Sequence, residues 1–509
     1  MTEGYTGLPV AAAAGVEGRF SRRWSIFWWA VLFLLVTLSM QFAIPFPLDA
    51  DTDYHIAVGR LIREHGILHA FPWTPFSWLA DHYADKELLF HLFFAATAHL
   101  NWVLAARVVG ALLGALLLLV IYLLLWREGV RHAGIWTLIP LAASNSFMYR
   151  FALVRPHLLS ISLALVVLWA ASRRRPAILF VASALYPWAY VAWHLPIVLV
   201  LIAESARLLS GRRIRVQPLV AVIAGIGVGV ALHPNSMNLL RLTWIQIVDV
   251  LLRNAWGAKA GFDLGGEFLP TTAEGWATGL AICVLMTLVG FWLAVRDRRQ
   301  DDLPLAFALA ALAFGVLTGT TNRFVEYFAP CAVLCLALAA RPLSWRYLPQ
   351  GLLAAALVYT VSLNYGYLRA MTQSPDCMPP SAAAFLRQQI PVGAQVFTPG
   401  WGSTGTLMLA LPDRRFIVAL DPTFFYVRDP ELYRLWYRIS HEGVPHAADL
   451  IRQRFGARYV VCFYPQKILP QEVTPLQAQL SAEPGVRSYS IDGLWLLFDL
   501  GDRPRTDSP

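Results

Sequence analysis

Residues Ser25–Phe46 read SIFWWAVLFLLVTLSMQFAIPF, and just beyond them the chain turns to Asp49-Ala50-Asp51-Thr52-Asp53-Tyr54-His55. The apolar run matches the roughly 20 residues that a helix needs to cross a bilayer. Secretory h-regions are shorter, about 7–15 residues, and end at a small-residue cleavage site. No such site follows here, so the run is expected to be a retained first span. The polar stretch then places three carboxylates and an imidazole at a membrane boundary. Ionisable groups are costly to desolvate there, which makes such a cluster a functional-site candidate.

Composition agrees with this reading. Apolar residues make up 57% of the 509 and charged residues only 14%, with a mean hydropathy of +0.53. Those values exclude an ordinary soluble globular protein and point to an α-helical polytopic membrane protein. Further apolar runs, from Val103–Trp126 to Leu348–Tyr365, bring the expected total to about eleven transmembrane helices, several of them short. Arginines (Arg19, Arg22 and Arg23; Arg127 and Arg131; Arg173 to Arg175; Arg207 to Arg215; Arg296 to Arg299; Arg341 and Arg346) occupy every second connection. By the positive-inside rule these connections are cytoplasmic. The N-terminus (residues 1–24) is then cytoplasmic and the C-terminus extracytoplasmic. The net charge of +9 is accounted for by this bias. No basic stripe interleaved with aromatics suggests nucleic acid as a partner.

Residues 25–368 therefore form the expected transmembrane domain, with a long first outer loop at 48–87. Beyond it the composition becomes that of a soluble protein. Residues 369–509 alternate short strand patterns (395–398, 416–420, 459–463, 486–491, 494–500) with helix patterns (381–389, 430–441, 447–455, 474–480), which predicts an extracytoplasmic α/β domain. Cys377 and Cys462 fall in that exported part, where either a disulfide or two buried thiols are compatible with the compartment. There is no Walker loop, zinc spacing or Rossmann glycine pattern, and Gly225-x-Gly227-x-Gly229 lies in an apolar run, as close helix packing would have it.

The outer loops carry the chemistry. Helical spacing over Ile56–Arg63, with Val58 and Ile62 on one side, predicts a helix lying along the interface. A proline-rich stretch follows, then Asp81, His82, Asp85, Lys86 and Glu87. If the loop folds back, Asp51 and Glu87 face a common cavity, one as base and the other positioning an acceptor or a cation. The alternative is that Asp49 and Asp53 cap the helix and stay hydrated. Arg150, Arg155 and Arg323 lie on the outer side against the positive-inside bias, suited to a phosphate group that guanidinium binds in bidentate fashion. Headgroup contact, or pairing with the loop acids, is the other reading of these arginines. Trp73, Trp78 and Tyr83 are either sugar-stacking platforms or interfacial aromatics.

The order Asp49-x-Asp51-x-x-x-His55-x-x-x-Gly59, Pro75-Phe76-Ser77, Arg155-Pro156, His233-Pro234-Asn235, Asn322-Arg323-Phe324, Trp401-Gly402 and Ala419-Leu420-Asp421 resembles the bacterial membrane proteins of the GT-C glycosyltransferase superfamily. It is similar in layout to protein O-mannosyltransferase, lipid A aminoarabinose transferase and rhizobial core transferase-like relatives. The resemblance implies a GT-C-like bundle in the bacterial inner membrane and a polyprenyl-phosphate sugar as donor, with an envelope glycan, lipid or protein as acceptor. It places the catalytic acid on Asp51, with Asp49 beside it and Glu87 as the later loop acid. His55, Asp53, Arg155, Arg323, His233 and Asn235 form the expected substrate-binding set. Either no cofactor is required or a divalent cation (Mg or Mn) is used, held by Asp49 and Asp51 if any. A reading from another class is a lipid-linked glycan flippase or a non-catalytic subunit of an envelope polysaccharide assembly complex. Transporters place ionisable residues near the bilayer midplane and show internal repeats; these spans are nearly free of charge, apart mainly from Glu204 and Glu326 near their ends.

Overall fold

The structure is a computed structural model that describes residues 11–252, 269–343, 346–419, 421–465 and 473–501, with backbone alone at 11–23 and 249–252. Leu420, the end of one expected strand and part of one motif, lies outside the described residues. Six helices are long and apolar enough to cross a membrane, or up to eight if each of two bent pairs is one span. The shorter apolar helices Ala133–Ala143 and Pro176–Ala189 take up further runs of the eleven expected. Large apolar side chains such as Leu285, Trp292 and Val358 point outward from the bundle, an exposure suited to a lipid environment. This is a multi-pass membrane protein.

Both bent pairs break at sequence motifs. Asn145–Ala152 meets His157–Ser172 at 116° across Arg155-Pro156, and Gln217–Ala231 meets Ser236–Val248 at 116° across His233-Pro234-Asn235. Proline supplies no N–H and disfavours helical geometry in the residue before it, so it can end one helix and start another at a new angle. At the opposite end of the bundle the arginine-bearing connections meet. There Arg173 pairs with Glu128 and, at 2.8 Å, with Asp301, Arg341 reaches Asp301 at 3.0 Å, and Arg215 holds Glu204 at 2.8 Å.

The C-terminal part builds a five-stranded sheet in the order β2-β1-β3-β5-β4. Its strands are β1 (Gln395–Phe397), β2 (Arg415–Phe416), β3 (Tyr459–Phe463), β4 (Arg487–Ile491) and β5 (Trp495–Asp499). β1 runs parallel to β2 and β3, while β5 is antiparallel to β3 and β4. Helices over Pro380–Gln389, Pro430–Tyr437, Ala447–Phe455 and Pro475–Ala482 fall where the pattern placed them; Thr404–Ala410 and Thr423–Arg428 are additional. All five cysteines are free, which decides Cys377 and Cys462 in favour of thiols.

Loop one differs from its expected picture in a way that matters for the site. Its helix spans Ala50–His65, starting earlier than the apolar spacing indicates, because the Asp49 side chain accepts the Thr52 amide and caps it. The apolar face of this helix is not laid against lipid. Val58, Ile62, Phe71 and Trp73 share one core with Leu386, Val396, Leu407 and Leu497 of the sheet domain. Trp73 is 2% exposed and donates its indole N–H to the Pro412 carbonyl at 2.7 Å, so it is a core residue and not a sugar platform. Trp78 stacks on Phe424 of the same sheet domain. A Cβ on Gly405 would lie 2.2 Å from the Ala50 carbonyl oxygen, and one on Gly59 would lie 2.3 Å from Phe94 Cβ. Glycine at these two positions lets the loop helix approach its neighbours on either side.

Candidate active site

Between the bundle, loop one and the sheet domain lies a cavity of about 840 Å³. The bundle contributes Arg150, Arg155, His157, Tyr190, Arg323 and Glu326; loop one contributes Asp49, Asp51, His55, Asp85, Lys86 and Glu87; the sheet domain closes it with Trp401 and Asp421. Asp51 and Glu87 thus line a common wall, as a folded-back loop requires.

Asp49 and Asp51 are joined by one guanidinium. Arg155 Nε donates to Asp49 at 2.6 Å, and Arg155 Nη1 lies 2.9 Å from Asp51. Of the alternatives weighed for the outer arginines, Arg155 therefore pairs with the loop acids. Asp49 also accepts the Thr52 amide at 3.0 Å and the Thr52 hydroxyl at 2.8 Å. Burial pushes its carboxyl up, but Arg155 and the Thr52 hydrogen bonds outweigh that and hold it below the usual carboxylate range. Asp51 is the more open of the two, with a side chain 30% exposed against 13%. Both Asp49 oxygens are engaged, Oδ1 by Thr52 and Oδ2 by Arg155, whereas Asp51 gives Oδ2 to Arg155 and keeps an exposed side. The Arg155 guanidinium thus bridges the two acids named as holders of a divalent cation, if one is used.

Asp53, read from sequence as a hydrated cap or a substrate ligand, is neither exposed nor on the cavity wall. It is 6% exposed and accepts the Thr406 hydroxyl of the sheet domain at 2.6 Å. Burial, opposed by that hydrogen bond and reinforced by Asp49, Asp376 and Asp51, pushes its carboxyl up to about 7. His233 and Asn235, both expected to bind substrate, also lie outside the wall. His233 Nε2 donates to the Asp85 carbonyl at 3.0 Å, and the Asn235 amide donates to the Leu68 carbonyl at 3.0 Å. From the helix break they pin loop one, because a polar group buried beneath a loop must find its partner there.

Deeper on the bundle side, Arg150 pairs with Glu326, its Nε donating at 2.7 Å, and both side chains are buried. Arg323 donates to the Tyr190 hydroxyl at 2.7 Å and lines the cavity. Across from it the Lys86 ammonium reaches Gln246 at 3.4 Å, and Gln246 donates to Asp421 at 2.9 Å. Asp421 shapes a turn, accepting the Thr423 amide at 3.0 Å, and lines the cavity as well.

No protein-family model matches this sequence, and neither does any curated protein. Solved structures do. The chain superposes on the archaeal oligosaccharyltransferase AglB from Archaeoglobus fulgidus, solved with an inhibitory peptide and a dolichol-phosphate, at a TM-score of 0.54 and 16% identity; the match covers 94% of this chain and 75% of that one. It is similar to ArnT from Cupriavidus metallidurans in the apo state at a TM-score of 0.57 and 13% identity, covering 94% of this chain and 98% of that one. ArnT bound to undecaprenyl phosphate gives 0.52 and 15%, covering 93% and 98%. The fold is GT-C-like.

Within this GT-C-like frame, sequence reasoning missed three groups near the loop acids. His91 is hidden in the apolar run LLFHLFFAA, and only its position four residues after Glu87 hinted that both share a helix face. It donates from Nδ1 to Asp85 at 2.8 Å, while its Nε2 lies 2.8 Å from His55 Nδ1. His55 sits well below the ordinary imidazole range, first because it is buried and then because His91, Arg155 and Lys86 are near. Lys86 reads only as one member of its charged stretch and Thr406 has no assigned role, since a single lysine or threonine is common.

Proposed function

We propose that this protein is an integral-membrane glycosyltransferase that moves a sugar from a polyprenyl-phosphate donor to an envelope glycan, lipid or protein acceptor on the extracytoplasmic face. The observation that carries the reading is one cavity with Asp51 and Glu87 on its loop wall and Arg155 and Arg323 on its bundle wall. The GT-C-like neighbours, two of them solved with a polyprenyl phosphate, support a lipid-linked donor.

In the proposed reaction an acceptor hydroxyl gives its proton to the Asp51 carboxylate as its oxygen bonds to the anomeric carbon. The bond from that carbon to the phosphate oxygen breaks, with inversion, and polyprenyl phosphate departs. Asp51 suits the base because it is the more open acid, while Asp49 is committed to capping and to Arg155. Arg323 stabilises charge developing on the phosphate, and Arg155, while bridging Asp49 and Asp51, adds its positive charge on the same cavity wall, a task for which fixed cationic donors are well placed. Phosphate is already a good leaving group, so no general acid is required.

The test is label transfer from a panel of polyprenyl-phosphate sugars by purified protein, wild type beside Asp51→Asn. A general base contributes about 10²–10⁴-fold, so the variant should lose at least about a hundredfold while still inserting and folding. Wild-type transfer with undiminished activity in Asp51→Asn sinks the base assignment. No transfer with any donor returns the reading to a non-catalytic subunit.

A further inference from the structure

We infer that His55, Glu87 and His91 form a binding site for a divalent transition-metal ion, best matched to Zn²⁺. One donor atom from each lies within 4.8 Å of the other two, and all three side chains are buried. The set is distinct from Asp49 and Asp51, whose cation is Arg155.

The distances fit a hydrogen bond between the two imidazoles and leave the Glu87 carboxylate within reach of the same point. The 2.8 Å contact between His55 Nδ1 and His91 Nε2 is explained by a hydrogen bond alone. Glu87 is not, because its Oε2 stops 4.0 Å from His55 Nδ1, too far for a hydrogen bond and close enough to share a metal. Zinc bonds of about 2.0–2.1 Å in tetrahedral array separate ligand atoms by roughly 3.3 Å. The imidazole contact must open by about half an ångström and the carboxylate close by about 0.7 Å towards His55 and by up to about 1.5 Å towards His91, changes made by side-chain rotation.

The surroundings are those of a metal ligand set. Asp85 accepts from His91 Nδ1 through both carboxylate oxygens at 2.8 Å, which turns the Nε2 lone pair towards His55. Histidines that bind metal are commonly oriented by a carboxylate in this manner. Two buried carboxylates at Asp85 and Glu87 also call for compensating positive charge. Two imidazoles and one carboxylate select a borderline metal such as zinc over magnesium or calcium. His55 and Glu87 line the cavity, so water or a substrate oxygen completes the coordination. The ion would fasten the Ala50–His65 helix to the Leu88–Ala96 helix, one turn from Asp51.

The readout is bound metal, independent of the transfer reaction. Full-length protein in detergent, free of any affinity tag, is stripped with chelator, reloaded with Zn²⁺ or Co²⁺, desalted and analysed for metal content and visible absorption. Wild type is expected to keep one equivalent and to give the intense d–d bands of low-coordinate Co²⁺. Glu87→Gln and His91→Gln should lose both. Asp85→Asn, which leaves all three ligands in place, should bind about 10–100-fold more weakly. Less than half an equivalent retained by wild type overturns the inference, as does equal retention by both ligand variants. If the ligand variants do not fold, the wild-type cobalt spectrum and the Asp85→Asn affinity decide it alone.

Discussion

A single guanidinium decides how the loop at 48–87 works. Asp49 and Asp51 stand two residues apart, and Arg155 reaches both, so the two like charges share one counter-ion while only Asp51 keeps an open side. Sequence showed the acids and the arginine but not their pairing, because 104 residues separate Arg155 from Asp51 along the chain, as their numbers show. Asp53 illustrates the opposite outcome. Its position among hydrated acids suggested a cap, and the fold buries it against Thr406. Its carboxyl, pushed up to about 7 from 3.8 in the unfolded chain, holds its proton in the folded state over that interval. Folding therefore takes up a proton there, and stability falls as pH rises from about 4 to 7. Asp53→Asn removes that slope: in thermal unfolding from pH 4 to 8 the variant should gain on wild type as pH rises. Parallel curves for the two proteins would refute the assignment.

Secondary-structure elements were largely legible, and their partners were not. Strands β3 and β5 and the Ala447–Phe455 helix fall where the hydrophobic period placed them, since alternation and 3.6-residue spacing are local properties. The Ala50–His65 helix shows the limit. Its apolar face was visible as Val58 and Ile62, but a stripe does not say whether lipid or protein covers it, and here the sheet domain does. Gly405 is the point of closest approach, with the Ala50 carbonyl 2.2 Å from where a Cβ would lie. Gly405→Ala must push the domain off the loop helix. A loss of about 1–3 kcal/mol is expected, read as a lowered denaturation midpoint and faster protease cleavage in the connection between the Leu348–Met371 and Pro380–Gln389 helices. An unchanged midpoint would mean that the domain shifts without cost.

At the scale of the whole molecule, the Arg150–Glu326 pair ties the Asn145–Ala152 segment to the Val325–Ala339 helix beneath the cavity. Removing one partner of a buried pair strands the other charge and costs about 3–5 kcal/mol, whereas replacing both with apolar residues costs less. A cycle of Arg150→Met, Glu326→Leu and the double variant should show the double more stable than either single by thermal unfolding. Additive losses would show that the two charges are not coupled. The sequence by itself determined that the chain crosses a membrane repeatedly, which connections carry arginine and that a mixed domain follows. Each of these depends on composition or periodicity within about 20 residues. Only the tertiary structure decided that Arg155 binds both loop acids, that His233 and Asn235 pin the loop instead of lining the cavity, and that His55, Glu87 and His91 converge. Those outcomes rest on contacts between side chains remote in sequence or hidden in apolar runs, where burial and hydrogen-bond satisfaction, not local pattern, select the partner.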